Sequence, residues 1–112
     1  MDYFPVFFNL KGQDCLVVGG GDIAARKIEM LVRAGAKITV IAKEISATVA
    51  AMQDLSIRQT AFTPENLSQY KLIVSATDDA ETNILVANSA QEQGIPVNVV
   101  DNPGLSSFIF PA

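Results

Sequence analysis

DCLVVGGGDIAARKIEMLVRAGAKITVIA, residues 14–42, is the stretch on which the reading of this chain turns. A short apolar run, Cys15 to Val18, enters three glycines and then a segment with helical spacing. Strand, tight turn and helix in that order open a βαβ dinucleotide-binding unit. Gly19, Gly21 and Ala24 fill the small-residue slots of G-x-G-x-x-[GA]. Gly19 permits the turn off the strand, Gly21 lets the backbone approach a pyrophosphate, and Ala24 lets the helix lie close to the strand. The phosphates then rest on the free N–H groups and positive dipole end of the helix, where the N–H of Asp22, rather than its carboxylate, meets them. A second strand, Ile38 to Ile41, begins roughly 20 residues after the first glycine, as the unit requires. The plainer alternative is a glycine turn in an α/β domain that binds nothing. An acidic residue should close the second strand and hold the adenosine ribose, yet Ile41-Ala42 stand there, followed by Lys43 and Glu44. Lys43 facing a 2′-phosphate implies NADP, and Glu44 reaching the ribose implies NAD; these residues leave both open.

At 112 residues the chain is one domain, and such a domain buries roughly two thirds of its unfolded surface, enough for a core. A composition 49% hydrophobic and 18% charged is globular rather than disordered. The net charge of −4, with no run of Lys and Arg, argues against a nucleic-acid partner. MDYFPVFF lacks a basic n-region and a cleavage site, and no apolar run of about 18 residues follows, so the expectation is a cytoplasmic protein without a membrane partner. The single cysteine excludes an internal disulfide, and Cys15, on the first strand, reads as a small core residue. With no histidine, Ser-His-Asp and Cys-His catalysis and the common zinc sites are ruled out. No metal-ligand set is expected, and acid–base work falls to carboxylates, lysines or the cofactor.

Working outward, Tyr3 to Phe8 form an aromatic lead-in expected to pack as an extended edge segment, with Lys11-Gly12 turning back into the first strand. The first helix should run from Asp22 to Ala34 with Ala24, Ile28 and Leu31 on its apolar face and Gly35 at its C-cap. Ser46 caps a short helix through Met52, and Ser56 to Thr60 reads as a third strand. Thr63-Pro64-Glu65 has the form of a helix start, with the helix running to Ser68. Leu72 to Ser75 lacks alternation and reads as a strand buried on both faces. Its tip, Ala76-Thr77-Asp78-Asp79, precedes a helix to Gln93 that stops at Gly94, and Asp78 with Glu81 has capping-box spacing. In an open parallel sheet ligands bind beyond the carboxyl ends of the strands near the switch point, which brings Thr77 toward the dinucleotide. Pro96 to Val100 is a fifth strand ending in Asp101, and Ser107 to Phe110 a last short one. Strand and helix in alternation predict an α/β fold: a Rossmann-type, doubly wound, mostly parallel sheet with helices on both faces.

Four pieces in this order, FPVFFNLKGQDCLVVGGGDIAARK (4–27), TVIA (39–42), SATDD (75–79) and NVVDNPGLSSFIFPA (98–112), resemble the NAD-dependent precorrin-2 dehydrogenases of sirohaem synthesis, some of which also act as sirohydrochlorin ferrochelatases. The glycine motif is common to many families; the last piece is the specific one. The resemblance implies NAD as cofactor, with Gly19, Gly21, Asp22 and Ile23 at the glycine turn, Lys43 and Glu44 at the adenosine end, Thr77 on the nicotinamide side, and Asp101 as acid–base residue. It implies precorrin-2, a tetrapyrrole, as substrate and a ferrous or cobaltous ion as possible co-substrate. Members continue into a helical dimerisation region, so residues 1–112 are expected to be the N-terminal NAD-binding domain of a longer, homodimeric protein. Dehydrogenating the macrocycle removes a hydride and a proton, and a nicotinamide takes only the hydride. A carboxylate buried at a strand tip can take the proton, and later the pyrrole N–H protons as the ion enters. The bland role for Asp101 is to cap a turn with Asn102-Pro103. A non-catalytic NAD(H)-sensing module is the alternative from another class, and a scaffold with a vestigial site is the third.

Overall fold

β1 (Asp14–Val18) sends Cys15 and Val17 into one apolar cluster and Leu16 and Val18 into another. A strand buried on both faces needs a layer on each side. The computed structural model, which describes residues 2–111, supplies both; Met1, and Ala112 at the end of the last quoted piece, lie outside the described residues. After β1 come α1 (Asp22–Arg33), β2 (Lys37–Ile41), α2 (Ala47–Ala50), β3 (Leu55–Arg58), β4 (Leu72–Ser75), α3 (Ala80–Glu92) and β5 (Val97–Val99). The sheet order is β3-β2-β1-β4-β5, with every pairing parallel. α1 covers one face with Ala24, Ala25, Ile28 and Leu31, and α3 belongs to the other with Val86, Ala87 and Ala90. The expected doubly wound fold is therefore present, and all of its strands are parallel. The strand succession reverses between β1 and β4, which opens a crevice at their carboxyl ends.

α1 stops where Gly35 takes φ +83°: the Ala36 N–H donates to the Leu31 carbonyl at 3.1 Å and the Gly35 N–H to that of Val32 at 2.9 Å. This paired closure satisfies carbonyls that the helix end would otherwise leave open. Ser46 caps α2 as expected, its Oγ accepting from the Val49 N–H at 3.2 Å.

Four expectations are corrected. Thr63-Pro64-Glu65 starts no helix: the backbone of this segment is satisfied instead by one distant side chain. Gln93 Oε1 accepts from the Leu67 N–H at 2.7 Å and its Nε2 donates to the Glu65 carbonyl at 2.9 Å. Ser107 to Phe110 is not a strand. Serine hydroxyls close the β5 edge in its place, Ser107 Oγ accepting from the Val97 N–H at 2.9 Å and Ser106 Oγ from the Val99 N–H at 2.8 Å. The lead-in forms no strand and does not pack inward; Phe4 and Phe7 are 85% and 101% exposed, because α1 and α3 already cover both faces of the central strands. The N-cap of α3 is Asp79 rather than Asp78, so the Asp78–Glu81 capping box does not form.

Candidate functional site

A cleft of about 690 Å³ lies over the carboxyl ends of β1, β2 and β4. Its floor is set by Gly19, which takes φ +129° and whose position leaves no space for a side chain: a Cβ there would overlap the Ala76 carbonyl oxygen. The Gly19 N–H donates to the Ile41 carbonyl at 2.9 Å and the Ala76 N–H to that of Val18 at 2.7 Å, so the turn ties the tips of β1, β2 and β4 together. Gly20 is pressed against the loop after β2, since a Cβ would overlap the Glu44 carbonyl oxygen, and its own carbonyl accepts from the Ser46 N–H at 2.9 Å. Gly21 differs from both. Nothing lies within 4 Å of where its Cβ would be, and it is the N-cap of α1 with no side-chain cap. Among the described residues the N–H groups of Gly20, Gly21, Asp22 and Ile23 have no acceptor, leaving the positive end of α1 open toward the cleft. A small-residue cradle with unpaired amides beside it fits a pyrophosphate.

Seven of the residues expected at a site meet here. Gly19, Gly21, Asp22 and Ile23 line the β1–α1 side, Lys43 and Glu44 stand exposed beyond β2, and Thr77 lies half-buried beyond β4. The Thr77 hydroxyl is 2.8 Å from Asn83 Oδ1 and accepts from the Asp79 N–H at 3.1 Å. Asp79, also on the cleft, has its carboxyl held below the ordinary carboxylate range, first by the Thr82 hydroxyl donating to it at 2.6 Å and further by the backbone N–H of Glu81.

Asp101 is the exception. Val100 lines the cleft and its N–H donates to the Ser75 carbonyl at 3.0 Å, but Asp101 is not among the lining residues. Expected to be buried, it is exposed: β5 ends at Val99, and the turn that follows takes φ +58° at Asp101, a left-handed value aspartate tolerates. Sequence reasoning missed Gly20, although three consecutive glycines where the motif asks for two was the signal. It also missed Phe62, a buried residue on the cleft within an irregular segment that no periodicity marks. Cys15 is buried as expected, and burial pushes its thiol up to about 11. Among the described residues no group of three or more potential ligands could hold a metal ion, and no helix is long and apolar enough to cross a membrane.

A doubly wound parallel sheet with a glycine-cradled helix N-terminus at its switch point is a Rossmann-type dinucleotide-binding domain. The chain belongs to the family described as "Putative NAD(P)-binding", whose model matches residues 6–112. It is 50% identical to the siroheme synthase of Nitrosomonas europaea and 45% identical to that of Methylococcus capsulatus, in each case over the whole of this chain and 24% of the relative. The chain therefore spans about a quarter of the length of these relatives. Among solved structures it is similar to "SirC, precorrin-2 dehydrogenase", with a TM-score of 0.84 and 33% identity over 98% of this chain and 55% of that one. The resemblance read from the four sequence pieces is thus found in the whole chain.

Proposed function

We propose that this chain binds NAD and serves the dehydrogenation of precorrin-2 to sirohydrochlorin. The observation that carries the proposal is the cleft itself: its uncapped helix end and open Gly21 lie in a chain similar throughout to a precorrin-2 dehydrogenase. Bound NAD supplies the hydride acceptor. The amides at the start of α1 hold its pyrophosphate, and Lys43 and Glu44, exposed beyond β2, lie at its adenosine end, where Glu44 accepts from the ribose hydroxyls. Thr77 lies on the opposite rim, toward the nicotinamide.

A cleft this size is filled by a dinucleotide, so the macrocycle must lie at its mouth. Asp101, exposed and next in the chain to the cleft-lining Val100, is the carboxylate this reading assigns to it. Its carboxylate accepts the proton the substrate releases as the hydride leaves, and the pyrrole N–H protons when a ferrous or cobaltous ion is the second substrate. The assembly that goes with this reading is a cytoplasmic homodimer. Anaerobic incubation with precorrin-2 and NAD, followed by absorbance, tests it: NADH and sirohydrochlorin should appear together, and Asp101→Ala should lower turnover at least about 100-fold while NAD affinity stays within about twofold. NAD binding without turnover, even when the protein carries the additional region of its relatives, would support a sensing module instead; no heat on titration with NAD would remove the cofactor.

A further inference from the structure

Ser75, Thr77 and Asn83 form a network on the β4 wall of the cleft that no motif announces. Asn83 Oδ1 is 2.7 Å from the Ser75 hydroxyl and 2.8 Å from that of Thr77, while its Nδ2 donates to the Thr77 carbonyl at 3.1 Å. A carbonyl oxygen only accepts, so the amide has one permitted way round, and both lone pairs of Oδ1 are then taken by hydroxyl donors. Asn83 therefore grips Thr77 at two atoms and anchors that grip on Ser75, which is fully buried. The Thr77 proton faces two acceptors, Asn83 Oδ1 at 2.8 Å and the Asp79 carbonyl at 3.0 Å, and its oxygen already accepts the Asp79 N–H, so what it offers the cleft is a remaining lone pair.

We infer that Asn83 is a positioning residue: it fixes the Thr77 hydroxyl as an acceptor on the β4 rim, where it binds a donor group on the half of the dinucleotide remote from the adenosine. The inference rests on the NAD reading above. It follows from the strand order, because β2 and β4 flank β1 on opposite sides. A ligand whose pyrophosphate rests on the turn after β1, and whose adenosine ribose lies over β2, must place its other end over β4.

Isothermal titration with NAD and with ADP, which lacks the whole nicotinamide riboside half, separates the two rims. Asn83→Ala should weaken NAD about tenfold and ADP by no more than about twofold. Asn83→Asp, close in shape, keeps an acceptor for the hydroxyls but has no donor for the Thr77 carbonyl; it should show the same selective loss and guards against misfolding of the alanine variant. Thr77→Val should reproduce the loss, and combining it with Asn83→Ala should add nothing further, since one acts through the other. Variants that bind NAD as the parent does, that lose both ligands equally, or whose effects add would overturn the inference. Wild-type protein that binds neither ligand would instead overturn the NAD reading on which it stands.

Discussion

The two walls of the cleft are built by different means. On the β1 side the polar material is backbone: three glycines, close carbonyls and unpaired amides, with no side-chain hydrogen bond to the turn among the described residues. On the β4 side the material is side chain: Ser75, Thr77, Asn83, Asp79 and Thr82 joined by hydroxyl and amide bonds. A backbone wall suits a ligand group that is the same in every nucleotide, because amides meet any phosphate. A side-chain wall can be exchanged residue by residue and so suits the part of the ligand that distinguishes one cofactor from another. The difference also predicts where damage falls: changes to the first wall should cost folding, and changes to the second should cost selectivity.

The largest test of that division is Gly19→Ala. Its added carbon meets the Ala76 carbonyl in a left-handed backbone region, so urea unfolding should show a loss upward of about 3 kcal/mol; a loss under about 1 kcal/mol would mean that β1 and β4 are not held as close as described. Gly20→Ala and Gly21→Ala sharpen the contrast within one wall. The former overlaps the Glu44 carbonyl at an unstrained φ and should cost about 2 kcal/mol as the β2–α2 loop gives way, whereas the latter has open space and should change stability by less than about 0.5 kcal/mol. Of the three glycine variants, only that at Gly21 should weaken NAD without unfolding the protein, which titration beside thermal denaturation would reveal.

A pH-dependent effect concerns β1, the strand both walls share. The Cys15 thiol, ordinarily near 9.0, is pushed by burial up to about 11, so the unfolded chain releases that proton first as pH rises. Its contribution is complete below pH 9 and is lost toward pH 11. Between about pH 8 and about pH 10.5, unfolding free energy should fall by on the order of 1–2 kcal/mol more in the wild type than in Cys15→Ala.

Much of this was legible because it is local. The turn after Val18, the helix from Asp22, the stops at Gly35 and Gly94 and the cap at Ser46 each depend on residues within one turn of chain, and each is found. Thr63-Pro64-Glu65 failed because a long-range partner, Gln93, takes the Leu67 N–H and the Glu65 carbonyl, a pairing that no local signal contains. The Ser106 and Ser107 hydroxyls imitate an edge strand without being one, which no alternation pattern can encode.

By itself the sequence determined the five parallel-sheet strands with α1 and α3 between them, the glycine cradle and the membership of a nucleotide-binding family, since these follow from spacing and from the steric limits of single residues. Only the tertiary structure decided that Gly20 is pinned by the Glu44 carbonyl, that Gln93 holds the backbone at Glu65 and Leu67, and that the cleft is lined by Val100 and not by Asp101. Those facts depend on the distance between segments remote in the chain, and that distance is set by how the sheet packs, not by any local rule.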